Sequence, residues 1–241
     1  MDTLTDFLAE ARDAHRRKDW RASYGAFVRA DGLGPMPTDD LDAYGAAAWR
    51  IGYGSEAVRL AERAYDRWAR TDPAAAATKA TILALQWHAR GHQALSRLWA
   101  DRARGLLAAV PGAETDAYLA YVDAATALVD GDVVTLTRSA TALRRAVANT
   151  ADTTLAVLGR VVDGVVALVE SRVAEGYRLL DDALLPVLDE RVPLEYAGDL
   201  YRLALHSSAD AEHLQAWTES MRRWVVITGV VIDTDVADGR I

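Results

Sequence analysis

The chain has 241 residues, about half of them hydrophobic, with a formal net charge of -8 and no cysteine. That acidity argues against direct binding to nucleic-acid phosphate or to an anionic membrane, and the missing thiols exclude disulfides, thiolate metal sites and cysteine nucleophiles. The opening residues MDTLTD lack the basic and apolar blocks of a signal peptide, and no uncharged apolar run approaches the roughly 20 residues that span a bilayer, so a cytoplasmic protein is expected.

Abundant alanine, only 6 prolines and few β-branched residues before position 130 favour helix. The apolar periodicity predicts helices near 3–18, 20–31, 38–51, 55–71, 73–90, 92–109, 114–130, 132–149, 151–171, 172–190, 194–208 and 210–224. Start signals stand at Thr38 before Asp39 and Asp40, at Ser55 before Glu56, and at Asp72 before Pro73. Gly54, Gly91 and Gly131 are the expected stops inside helix pairs, and residues 31–37 and 111–112 are breaks between pairs. Residues 225–235 (VVITGVVIDTD) are apolar and β-branched, unlike everything before them. A cap on the last hairpin, an oligomer contact and a disordered remnant all remain open for this tail. The expected organisation is one helical-repeat domain over 1–224 and a short tail over 225–241.

Alternate helices carry the same spaced anchors: Ser23/Phe27/Ala30, Ala57/Ala61/Ala64, Ser96/Ala100/Ala103, Leu136/Ala140/Leu143, Gly176/Leu180/Ala183 and Leu214/Thr218/Met221. Their first members lie 34, 39, 40, 40 and 38 residues apart, the spacing of a two-helix unit stacked along a solenoid. Leu41, Tyr44, Gly45 and Ala48 followed by Ala57, Ala61 and Ala64 resemble a tetratricopeptide repeat, and Trp20, Ser23, Phe27, Ala30 and Pro35 stand at similar offsets. The stretches 90–103 and 172–183, with Ala216-Trp217-Thr218 and Arg223-Trp224, are similar to the helical-repeat region of actinobacterial LuxR-type transcriptional regulators. The resemblance implies an all-α, right-handed solenoid of about six hairpins. The helix-turn-helix in which such regulators end has no counterpart in the sequence, so the transcriptional role would be that of a sensor region alone.

If Ala11, Gly45, Ala84, Ala124, Gly164 and Arg202 anchor the first helix of each pair, residues one, four and five positions later lie toward the groove of the solenoid. This nominates Arg12, His15, Arg16, Trp49, Arg50, His88, Leu128, Val165, Leu168 and His206, to which the aromatic Trp87 and Tyr121 and the titratable Asp42 are added. The expected groove is basic at its N-terminal end, aromatic with imidazole in the middle, and apolar around 125–169. The run 155–169 is hydrophobic nearly all round, as in a helix buried on several sides. Trp20, Trp68, Trp99 and Trp217 fall on second helices, where packing is expected.

No phosphate-cradling loop, zinc-protease motif, nucleophile elbow or dinucleotide fingerprint is present. Asp130-Gly131-Asp132 reads as a turn and an N-cap, Asp39-Asp40 as solvated helix charge, and no metal or cofactor is expected. The leading reading is a non-catalytic binding scaffold for a peptide, a partner protein or a small apolar or acidic ligand, with a homodimer open. The alternative is a biosynthetic enzyme enclosing an apolar molecule, for which Asp42, His88, Tyr121 and His206 would have to converge.

Overall fold

A computed structural model describes residues 3–109, 112–188, 191, 192, 203 and 215. Among these the chain forms ten helices and no strand: α1 Leu4–Arg16, α2 Trp20–Leu33, α3 Thr38–Arg50, α4 Gly54–Thr71, α5 Pro73–Ala89, α6 Gln93–Leu107, α7 Ala113–Asp130, α8 Val133–Val147, α9 Thr153–Val169 and α10 Val173–Leu188. Each falls where the periodicity expects a helix. The expected helices at 194–208 and 210–224, the anchors Leu214/Thr218/Met221 and the tail 225–241 lie outside the described residues.

Short acidic side chains start several helices by accepting otherwise unpaired backbone N–H groups. Thr3 and Asp6 form a reciprocal capping box on α1, and Asp19 accepts from Ala22, Asp72 from Ala75, Asp132 from Thr135 and Asp152 from Thr154. Each such cap stabilises by about 1 kcal/mol. Thr38 and Ser55, expected to cap, do not: α3 begins at Thr38 after Pro37, and α4 begins at Gly54 after Tyr53, neither with a side-chain cap bond.

One backbone turn recurs in every described hairpin. Lys18, Gly52, Gly91, Gly131 and Ser171 take left-handed φ values of 59°, 86°, 77°, 72° and 62°. The N–H after each bonds to a carbonyl five residues back: Asp19 to Ala14, Tyr53 to Ala48, His92 to Trp87, Asp132 to Ala127 and Arg172 to Ala167. This is the Schellman closure, which satisfies carbonyls left over at a helix end. The turns are separated by 34, 39, 40 and 40 residues, the same intervals as the buried anchors. The expected stop at Gly54 is therefore displaced to Gly52, because the left-handed residue must stand two places earlier than the first residue of α4.

The chain divides into two compact units, Met1–Gln86 with Leu95–Pro111, and Trp87–Ala94 with Gly112–Ile241. In the first, α1 packs on α2 and α3, and α3 packs on α2 and α4. Its core joins Leu8, Ala11, Ala26, Phe27, Leu41, Tyr44, Leu60 and Ala64, with the Phe27 and Tyr44 rings stacked at 5.6 Å. In the second, α7 packs on α8 and α9, and α9 packs on α8 and α10. Every second-helix anchor from Ser23 to Ala183 is buried, as are Ala11, Gly45, Ala84, Ala124 and Gly164. Small residues at these crossings let backbones approach closely: a Cβ on Gly45 would sit 3.3 Å from that of Leu60.

Candidate binding surface

The basic end of the expected groove is assembled in the first unit. Leu8, Ala11 and Ala14 bury one stripe of α1, which leaves Arg12, His15 and Arg16 at its border. Arg12 reaches α3 and donates from Nε and Nη2 to the two carboxylate oxygens of Asp40, at 2.7 and 2.6 Å. Asp40 is only 4 % exposed, so its charge is held by this fork and not by solvent. The bond in turn keeps the Arg12 guanidinium protonated above its ordinary range. Reading Asp40 as solvated helix charge is thus corrected: Asp39 is exposed, whereas Asp40 faces α1.

Beside this clamp, three elements meet around Trp20. The His15 ring from α1 stands edge-on to the indole at 5.1 Å, and the Arg50 guanidinium from α3 lies over it at 5.4 Å. His15 Nδ1 is shielded from solvent and has no hydrogen-bond partner among the described residues. Burial first, and then the Arg50 charge, push His15 below its ordinary pKa, while Asp42 pulls the other way. Arg50 and Arg16 are exposed, and Arg16 donates to Asp13 at 2.9 Å on its own helix. Trp49 is half-buried against the core.

Asp42 also pairs with Lys79 of α5, which is 7 % exposed and has its ammonium 5.9 Å from the Trp68 ring centroid. The first helices α1, α3 and α5 are therefore joined side to side by two ion pairs of opposite sense, Arg12 to Asp40 and Asp42 to Lys79. Sequence reasoning missed Asp40, Lys79, Trp20 and Trp68 as members of this surface. The signal was the i, i+2 pair Asp40 and Asp42, which places two carboxylates on different edges of one helix.

The second unit treats its candidates differently. His88 is 3 % exposed and hydrogen bonds through Nδ1 to Gln93 Oε1 at 3.1 Å. Trp87 is half-buried, with the His92 ring at 5.2 Å and the Arg90 guanidinium at 5.4 Å. Tyr121, Leu128, Val165 and Leu168 are at most 8 % exposed, so the expected apolar stretch of the groove is packed interior. Helix α9 buries Leu155, Val157, Leu158, Val161, Val162 and Val165 on several sides, in keeping with its all-round hydrophobicity. Asp132 is the N-cap expected of Asp130-Gly131-Asp132. The candidate His206 lies outside the described residues.

Taken together, the exposed chemistry of the candidate set is cationic and belongs to Arg16 and Arg50, flanked by the half-buried rings of Trp49, His15 and Trp20. Among the described residues, most of the other candidates are buried in packing or held in ion pairs. No family model, curated protein or solved structure matches the chain.

Proposed function

We propose that the chain is a right-handed, tetratricopeptide-like solenoid of about six hairpins whose role is non-catalytic binding. The five equal turns at intervals of 34, 39, 40 and 40 residues support the repeat. The binding reading rests on one observation, the exposed Arg50 guanidinium held over Trp20 beside His15 and close to the exposed end of α1. A guanidinium oriented by an aromatic face loses little freedom on pairing and suits a planar carboxylate. The expected ligand is the acidic group of a peptide, partner protein or small effector, with Trp49 supplying apolar contact.

Fluorescence anisotropy with short acidic, neutral and basic labelled peptides tests this. The acidic peptides should bind, and Arg16→Glu with Arg50→Glu should weaken them at least roughly tenfold, the loss of a single charge-assisted contact. Equal binding of all three classes, or acidic binding that survives the double substitution, would sink the assignment.

A further inference from the structure

The turn that ends α1 brings an imidazole and an indole together. Lys18 is left-handed, its N–H bonds to the His15 carbonyl at 3.0 Å and that of Asp19 to the Ala14 carbonyl at 2.9 Å, so Trp20, the first residue of α2, folds back onto His15. The two rings meet edge-on at 5.1 Å, and α3 lays the Arg50 guanidinium over the same indole at 5.4 Å. On α1 itself Arg12 is forked on Asp40, and Arg16 and Arg17 both pair with Asp13. In the turn Lys18 is exposed and Asp19 accepts from Ala22, while α2 presents the uncharged Trp20. The charges that α3 sets against the imidazole are Arg50 and Asp42, and Asp42 is itself engaged by Lys79 of α5.

Burial first, and then the Arg50 charge, keep this imidazole neutral against the weaker pull of Asp42. Nδ1 is shielded from solvent and has no hydrogen-bond partner among the described residues, which leaves Nε2 as the nitrogen a ligand oxygen can reach. What an imidazolium lacks here is a counter-charge, and an acidic ligand brings one. A carboxylate on Arg50 offsets the repulsion felt by His15 and adds an attraction in its place. We propose that an acidic group binding at Arg50 brings one proton with it, which His15 takes up, so that His15 sets the pH range in which the site holds its ligand. The coupling rests on the acidic-ligand reading above. By reciprocity, a ligand that favours the protonated ring is bound more tightly where that form is accessible, so affinity rises as pH falls toward 6.

Anisotropy titrations of a labelled acidic peptide at about pH 8 and pH 6 test this, because peptide carboxylates, with pKa values near 4, stay ionised throughout that range. The full chain should bind roughly threefold more tightly at the lower pH. His15→Phe keeps a ring against Trp20 and His15→Gln keeps a polar donor, and in both the ratio of the two affinities should fall to about one. A purely structural role would weaken binding at both pH values and leave the ratio intact. The imidazole signal that disappears from the proton NMR spectrum of His15→Phe should titrate at a higher midpoint when the full chain is saturated with peptide. Absence of binding at either pH removes the acidic-ligand reading itself. Equal binding at the two pH values, a ratio that survives in both variants, or an unmoved imidazole midpoint would overturn the proton coupling and leave the Arg50 site standing.

Discussion

Gly164 of α9 and Gly176 of α10 face each other so closely that a Cβ added to either would meet the other's carbonyl oxygen, at 3.0 Å from the first and 2.9 Å from the second. The atoms in the way are backbone, which has no rotamer by which to yield. Gly176→Ala also places its methyl 2.6 Å from Leu168 Cγ and should cost about 1–3 kcal/mol, as overpacked sites do, with Gly164→Ala in the same range. Gly105→Ala on α6 meets nothing within 4 Å and should instead stabilise by about 1 kcal/mol through helix propensity. Urea unfolding of the three variants gives the comparison, and a neutral Gly176→Ala would refute the close approach.

Lys18 and Ser171 occupy the left-handed position that glycine fills in the three turns between them. A side chain there is strained by about 1 kcal/mol, so Lys18→Gly and Ser171→Gly should each raise the unfolding midpoint, while Gly131→Ala should lower it by a similar amount. At Gly131 no atom lies within 4 Å of the added Cβ, so the loss would be conformational and not steric.

The Arg12 and Asp40 pair predicts an asymmetry. Arg12→Ala leaves a carboxylate that is 4 % exposed without its fork and should cost about 2 kcal/mol, less than a fully buried pair because Arg12 is half-exposed. Asp40→Ala frees an arginine that solvent can reach and should cost less. Equal losses in thermal or urea unfolding would count against burial of the Asp40 charge.

His15 makes stability depend on pH. Its folded pKa lies below the ordinary 6.5, so on acidification the unfolded chain takes up the proton first. The contribution of the neutral imidazole is complete above the unfolded value of 6.5 and is lost as pH falls from there through the lower folded pKa. His15→Phe keeps a ring against Trp20 but cannot titrate, and should flatten the decline of unfolding free energy between pH 7 and 5. An unchanged slope in the variant would assign the dependence to other groups.

The helices and their buried stripes were legible because each is specified by residues a turn or two apart. The anchors Ser23 to Ala183 and the near-continuous burial of α9 follow from that local period alone. Asp40 was barely legible: its partner is Arg12, on another helix, and the i, i+2 spacing to Asp42 marks an edge of α3 without naming what that edge meets. Lys79 escaped for the same reason. Lys18 and Ser171 hid their turns because only glycine advertises a left-handed residue. Leu128 and Leu168 were nominated by a register that gives direction around a helix but not the depth of what lies beyond it.

The constancy of the hairpin turn has a practical side. Its bonds count residues from the left-handed position, so one inserted residue would break the closure, whereas the helices differ freely in length, from 14 and 13 residues in α2 and α3 to 18 and 17 in α4 and α5. Changes in chain length are absorbed away from the turns, and the exposed connector 148–151 between α8 and α9 is where a tag, a protease site or a whole guest domain can be spliced in.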